Sequence, residues 1–211
     1  MFVMTEVLTP GRRERRAEAA RLGIITAAGE ILSEQGTQGF TLEAVAERAD
    51  VVVQTIYNRV GGRTALLLAV TERAVEENRA YVDPAYESAG VAEDRIRAAM
   101  AAYVRFATER PHHFRIVTSP PDDPAVLAQV DELISFHMQH LADALREAIA
   151  AGTIKADLDP EVAATALWAM CSGILSLGLR ASHTPVTGDR LTQLLDFFED
   201  LVLRGITTEE S

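Results

Sequence analysis

The chain is poorest in the features that would place it outside the cell or in a membrane. One cysteine, Cys171, among 211 residues excludes an intrachain disulfide and suits a reducing compartment. The longest nearly apolar run, ATALWAMCSGILSLGL at residues 164–179, has 16 residues. That is short of the roughly 20 that a membrane span needs. It reads as a buried core or interface helix flanked by Glu161 and Arg180. The opening MFVMTEVLTPGRR has neither a basic stretch ahead of its apolar residues nor an apolar core of signal-peptide length, so no export signal and a cytoplasmic location are expected. No alternation of period two persists, so no sheet is expected. Repeats and low-complexity tracts are also missing. An excess of positive charge is missing too: the net charge is −11, which argues against non-specific nucleic-acid binding by the chain as a whole.

What is present is a globular composition, 48% hydrophobic and 24% charged, with an uneven distribution of charge. Residues 1–65 hold eight arginines and eight acidic residues and are neutral. Residues 66–211 hold twelve basic and 23 acidic residues, and with them the whole −11. Inside the neutral part, GRRERRAEAAR packs five arginines into eleven residues. The pattern is a neutral module with a basic N-terminal arm, joined to an acidic body.

Helical periodicity runs through the chain. Residues 13–34 place Leu22, Ile25 and Leu32 on one face with Ile24 and Ile31 beside it, and Gly36 supplies a stop. Thr41 is a good N-cap for TLEAVAERAD, where Leu42, Val45, Ala46 and Ala49 form a short apolar face. Asp50 sits where a turn would start and tolerates a left-handed backbone. A helix resumes from Thr64 to Tyr81, and Pro84 and Gly90 mark a break. Further helices are expected over 92–109, over a short PHHFRIVT segment, and over 124–151, 160–181 and 189–204, the last with a core of Leu191, Leu194, Leu195, Phe198 and Leu201. SPPDDP and SHTPVTGD read as loops. The fold class is all-α, with about nine helices: an N-terminal three-helix module over 1–63 and a larger helical body over 64–211.

The stretch VVVQTIYN at 51–58 has the composition of a strand. A lone strand would leave its backbone groups without partners, so context favours a helix. Wound as a helix, Ile56 and Val60 face inward, and Gln54, Thr55, Tyr57 and Asn58 lie mainly on other faces. Asn and Gln match the major-groove edge of adenine. Two short helices joined by a tight turn, the second with a polar outward face, form a helix-turn-helix.

Residues 13–67 resemble the DNA-binding domain of the TetR/AcrR family of bacterial transcriptional regulators. The resemblance rests on GFTLEAVAERADVVVQTIYNRVGGRTALLLAV, with Phe40, Thr41, Val45, Ala46, Ala49, Val51, Thr55, Ile56, Tyr57 and Leu66 in matching positions. It departs from the family at Asp50 for glycine, Val52 for serine, Val60 for phenylalanine and Arg63 for lysine; these bear on affinity rather than on fold. The resemblance implies that Thr41, Thr55, Tyr57 and Arg63 hold phosphates, that Val53, Gln54 and Asn58 face base edges, and that Arg59 lies near the DNA backbone. It further implies a homodimer on a palindromic DNA operator, most simply as a repressor released by a small-molecule effector. The apolar helices 160–181 and 189–204, with Gly173 and Gly178 allowing close approach, are the expected dimer interface.

The same resemblance implies a small-molecule pocket in the body. Its candidate lining is Met100, Tyr103, Phe106, Phe114, Phe136, Met138, Trp168 and Cys171, side chains that suit an apolar, adaptable cavity and equally suit ordinary core. WAMCSG resembles a family C-terminal pattern of Trp, three residues and His-Gly, with Ser172 in place of the His. No cofactor, metal or catalytic residue is expected. His137 and His140 share a helical face but lack well-placed further ligands, Cys171 and Ser172 have no His at a useful spacing, and VGGRT lacks the lysine of a phosphate loop. Two other readings stay open: a helical small-molecule or lipid carrier, which would not need the polar face at Gln54, Asn58 and Arg63, and a ligand-independent DNA-binding regulator.

Overall fold

The computed structural model describes residues 11–179 and 188–207. Most of the stretch read for export, Arg180, the end of the 160–181 segment and most of SHTPVTGD lie outside them. The described residues form nine helices: α1 (Arg12–Gly39), α2 (Leu42–Arg48), α3 (Val53–Arg59), α4 (Arg63–Tyr86), α5 (Ala92–Glu109), α6 (Pro111–Thr118), α7 (Pro124–Ala150), α8 (Pro160–Leu179) and α9 (Asp189–Ile206). Among the described residues there is no strand, only an isolated antiparallel bridge between Ile154 and Thr207. The chain divides into two compact units, one ending at Val70 and the other starting at Thr71. The boundary expected after residue 63 coincides with the start of α4, whereas the compact first unit takes in its opening residues, where Leu66, Leu67, Ala69 and Val70 are buried.

In the first unit, α1 and α2 present Ile24, Ile25, Ile31, Leu32, Leu42 and Val45 to a common core that also takes Phe40 and Ile56. Leu22 departs from expectation: it is 36% exposed, and Ile24 takes the inward position instead. The regular part of α1 breaks at Gly36, whose φ of 67° is cheap only for glycine. Thr41 caps α2 by accepting the Ala44 N–H at 3.1 Å. Asp50 turns the chain with φ 52°, the one positive value at a non-glycine among the described residues. The valine-rich stretch winds into α3, and its N-cap Val52 supplies no side-chain acceptor. Helix propensity therefore yields to the packing of Ile56, which has no exposed surface.

In the second unit, α7 is the central helix, packed against α5 and α8, and α9 packs on α8. Pro84 does not end α4, which continues to Tyr86. Proline there forfeits one hydrogen bond with less than a turn of helix left to carry, so the break comes at Gly90, where φ is 137°. The α8 helix is 20 residues, longer than the apolar run that marks it, and by length and composition alone could cross a membrane. One face of it buries Ala163, Ala164, Leu167, Cys171 and Leu175 within this unit. The α9 core is narrower than the sequence suggests: Phe198 is buried, Leu191, Leu194 and Leu195 are half-buried, and Leu201 is exposed.

Candidate functional site

The first unit displays a polar helix on a rigid base. Ile56 points into the core while Gln54, Tyr57 and Asn58 face solvent, and Tyr57 is 53% exposed. The Gln54 amide donates to the Asn58 side-chain oxygen at 3.1 Å, one turn apart, so the two groups lie side by side on the outer face. Val53 and Thr55 are half-buried along its edges. The turn after α3 needs glycine: Gly61 has φ 114°, and an added Cβ would lie 2.9 Å from Ala65 Cβ.

The residues expected to hold phosphates do not all have the same setting. Thr41 and Tyr57 are exposed. Arg63 instead ties the unit together. Its Nε donates to the Phe40 carbonyl at 3.0 Å and its Nη2 to the Thr37 carbonyl at 2.9 Å, with the guanidinium 5.4 Å from the centre of the Phe40 ring. Arg48 likewise joins α2 to α1 through Glu30 at 3.2 Å and Glu34 at 3.0 Å. Arg59, by contrast, shares a shallow concave surface with Arg12, Arg13 and Arg16 of α1. The sequence shows the arginine arm and Arg59 separately. Their convergence depends on how α1 and α3 pack, which no local pattern reveals.

In the body, the expected lining divides. Met100, Tyr103, Met138, Trp168 and Cys171 do meet, around an inner cavity of about 40 Å³ that His137 also borders. Phe106 and Phe114 do not line it. They are fully buried and form an aromatic core with Tyr103 and Tyr81, with ring centres 5.6–6.4 Å apart. Phe136 does not line it either: its ring lies under Arg79 at 5.0 Å and against the edge of His140 at 4.3 Å. A larger cavity of about 160 Å³ lies between α5, α8 and α9, and it shares Ile96, Met100 and Cys171 with the inner one.

Burial governs the titratable groups here. It pushes the Cys171 thiol and the Tyr103 phenol up to about 12, so both stay protonated at neutral pH. Tyr103 makes a 3.0 Å hydrogen bond with Ser172, the residue standing where the resembling pattern has His. Burial also holds His137 below the usual imidazole range, although Asp83 Oδ1, 3.0 Å from its Nε2, draws the other way. His113 is lowered by burial too and faces Glu77 at 3.1 Å. Burial acts to raise Glu77, yet His113, Arg73 and Arg110 outweigh it and hold the carboxyl below its ordinary value. No sequence pattern reveals these pairings, since their members lie 36 and 54 residues apart. Among the described residues no group of three or more His, Cys, Asp or Glu is arranged to hold a metal ion.

A helix-turn-helix unit with an outward polar helix, joined in one chain to an all-helical body with internal cavities, defines the class. Residues 24–70 match bacterial regulatory proteins of the tetR family, and residues 96–202 match the tetracyclin repressor-like C-terminal domain. The chain belongs to the tetR family. It is 27% identical over 121 residues to the HTH-type transcriptional activator FasR of Mycolicibacterium smegmatis. That match covers 56% of this chain, and the chain spans about half the length of that curated relative, 53%. The fold is similar to that of the ketosteroid transcriptional regulator KstR2 of Mycobacterium tuberculosis, with a TM-score of 0.74, 15% identity, and 90% of this chain and 95% of that one covered. It is also similar to a putative transcriptional regulator from Saccharomonospora viridis solved with choline, with a TM-score of 0.76, 16% identity, and 91% and 100% covered.

Proposed function

We propose that this TetR-family regulator acts in the cytoplasm as a homodimer on a palindromic operator, and that an apolar small molecule entering the body releases it. The observation that carries the reading is the outward face of α3, where Gln54 and Asn58 stand together beside exposed Tyr57. Paired amides of this kind read base edges, and the arginines at Arg12, Arg13, Arg16 and Arg59 hold phosphates. A carrier would need neither. In this reading Thr41, Thr55 and Tyr57 touch the DNA backbone and Val53 meets a thymine methyl. Arg63 contributes by fixing the module as much as by touching phosphate, because its guanidinium donates to two backbone carbonyls.

Dimerisation is supported by apolar surface on the last two helices. Val162, Met170 and Leu177 of α8 and Phe197 and Leu201 of α9 are exposed, with Val162 and Phe197 both at 65%. Gly173 lies within the α8 stripe, and nothing stands within 4 Å of where its Cβ would be. Two such faces would pack as a four-helix bundle. A monomer at micromolar concentration in sedimentation would remove this part of the reading.

Release requires the effector to bind the DNA-free conformation more tightly than the DNA-bound one. The lining that the two cavities share, Ile96, Met100 and Cys171, supports a mostly apolar ligand. A second reading, activation, is favoured by the curated relative, which is named an activator. Selection from a randomised DNA pool at two salt concentrations tests the core of the proposal. An enriched palindrome with regular half-site spacing is the expected result, and no enriched site with folded protein at low salt would refute it. Fusing the recovered operator to a reporter then separates repression from activation.

A further inference from the structure

We propose that the larger cavity binds an apolar organic cation, an alkylammonium carrying N–H donors, with Glu93 as its counter-ion. This names the chemical class of the effector and rests on the reading of the body as an effector-binding domain.

The cavity is built from one face of α5, where Glu93, Ile96, Arg97, Met100 and Val104 follow one another at helical spacing. Across from it stands α9, which turns Leu195, Phe198 and Val202 inward. One end is closed by a backbone clasp: the Lys155 N–H donates to the Ile206 carbonyl at 2.8 Å and Lys155 Nζ to the Gly205 carbonyl at 2.7 Å, beside the Ile154–Thr207 bridge. The walls are therefore mostly hydrocarbon, which favours an apolar ligand body.

The ionisable groups in the lining set the sign of the head. Glu93, Asp196 and Glu199 face a single guanidinium, Arg97. Arg97 is already shared between Asp94 at 3.1 Å and Glu199 at 3.5 Å. Glu93, half-buried in the first turn of α5, makes no ion pair among the described residues, and its Oε1 is buried with no hydrogen-bond partner. A carboxylate oxygen withdrawn from water without a donor is costly, and a ligand that supplies both a donor and a positive charge removes that cost. An ammonium N–H does so at one point while its chain lies against Ile96, Met100 and Phe198. A carboxylate head meets repulsion at the same place, and a hydroxyl offers a donor without charge. Ile96, Met100 and Cys171 line this cavity and the smaller one bordered by Trp168 and Met138, so the surface met by the alkyl chain is apolar.

Calorimetric titration of the DNA-free protein with octylamine, octanol and octanoate, at neutral pH and below micelle-forming concentrations, tests this. Octylamine and octanol share an octyl chain and differ only in the head, and octanoate has the same number of carbons with the last one in the carboxylate. Octylamine is expected to bind about ten-fold or more tighter than octanol, as a charge-assisted hydrogen bond requires, and octanoate not to bind. Glu93→Gln is expected to erase the preference for the amine, and Asp131→Asn, at an exposed carboxylate on α7, to leave it intact. Octanol binding as tightly as octylamine would overturn the proposal in the wild-type protein alone, even if Glu93→Gln failed to fold. So would a preference that survives Glu93→Gln, or one lost equally in Asp131→Asn, which would mark general attraction to an acidic surface. Octylamine bound through Glu93 without any change in operator affinity would uphold the site and refute the effector reading, so the two failures are distinguishable.

Discussion

The two units of this chain turn their polar side chains in opposite directions. In the unit ending at Val70, the buried residues are apolar and the hydrogen-bonding groups stand on the outer face of α3. In the unit starting at Thr71 the interior holds Thr71, Asn78, His137 and Ser172, all at least 91% buried, together with two cavities. Charge follows the same division, neutral in the first 65 residues and strongly acidic beyond. A module that reads a surface needs a stiff apolar base holding its side chains in register. A body that encloses a ligand needs polar groups and space inside, at some expense of packing. An internal polar group and an internal void both lower stability, and under the proposed function recognition inside the body is what retains them.

The contrast can be broken most directly in the body's aromatic core. Phe114→Ala is expected to cost about 3–5 kcal/mol of unfolding free energy, as removal of a fully buried ring does. Denaturant unfolding measures it, and a loss below about 1 kcal/mol would show an interior loose enough to collapse around the gap. Next in size, Gln54→Ala combined with Asn58→Ala is expected to lower discrimination among operators by about 1–3 kcal/mol per base pair read. Stability should change by no more than about 0.5 kcal/mol, since both side chains are on the surface. Equal losses of stability and specificity would show that the outer face supports the fold. Replacing Arg12, Arg13 and Arg16 with alanine sharpens the distinction between positioning and reading. Binding to all sequences should weaken alike, and the salt slope should fall by about 1 for each phosphate that is no longer neutralised.

Smaller effects concern the helix cap and pH. Val52→Ser is expected to stabilise the first unit by about 0.5–1 kcal/mol, because α3 starts without a side-chain acceptor for its free N–H groups. Hydrogen exchange at the Gln54 amide would register it, since the Thr55 N–H already donates to the Val52 carbonyl at 2.8 Å. In the body, His113 and His137 are held below their ordinary 6.5 mainly by burial. The unfolded chain then binds protons that the folded one refuses. Stability is fully present above 6.5 and is lost as pH falls through the lowered folded values. Glu77, also lowered, works in the same direction further into acid. Melting temperature should therefore drop on acidification below neutrality, and His137→Gln should flatten the profile. A melting temperature that rises toward pH 5 would contradict this.

Much of the first unit is legible in the sequence because its instructions are local. Thr41 caps the helix that follows it, Asp50 adopts the left-handed turn, and Ile56 anchors a segment whose valines alone suggest a strand. The cap and the turn depend on neighbours within a few residues, while Ile56 marks the inward face of α3 that packs on α1 and α2. The body is legible in outline only: periodicity marks its helices, yet misplaces the break at Pro84 and the exposure of Leu201. The side chains expected to line a cavity divide in position. Tyr103 and Trp168 border a cavity, while Phe106 and Phe114 fill the core beside it. An aromatic on the inner face of a helix satisfies the same periodicity whether it meets another ring or a void.

By itself the sequence determined an all-helical chain, the helix-turn-helix and its outward amides, the segregation of charge and the apolar character of the last two helices. These follow from spacing, capping and composition, which act over a turn or two of helix. Only the tertiary structure decided that Arg59 joins the arginines of α1, that Arg63 is tied to the backbone of Thr37 and Phe40, that His137 meets Asp83 and His113 meets Glu77, and that Glu93 is left with a buried, unpartnered oxygen at the edge of a cavity. Each of these depends on where helices distant in the chain come to rest, and that is set by how their side chains interlock rather than by any pattern within one of them.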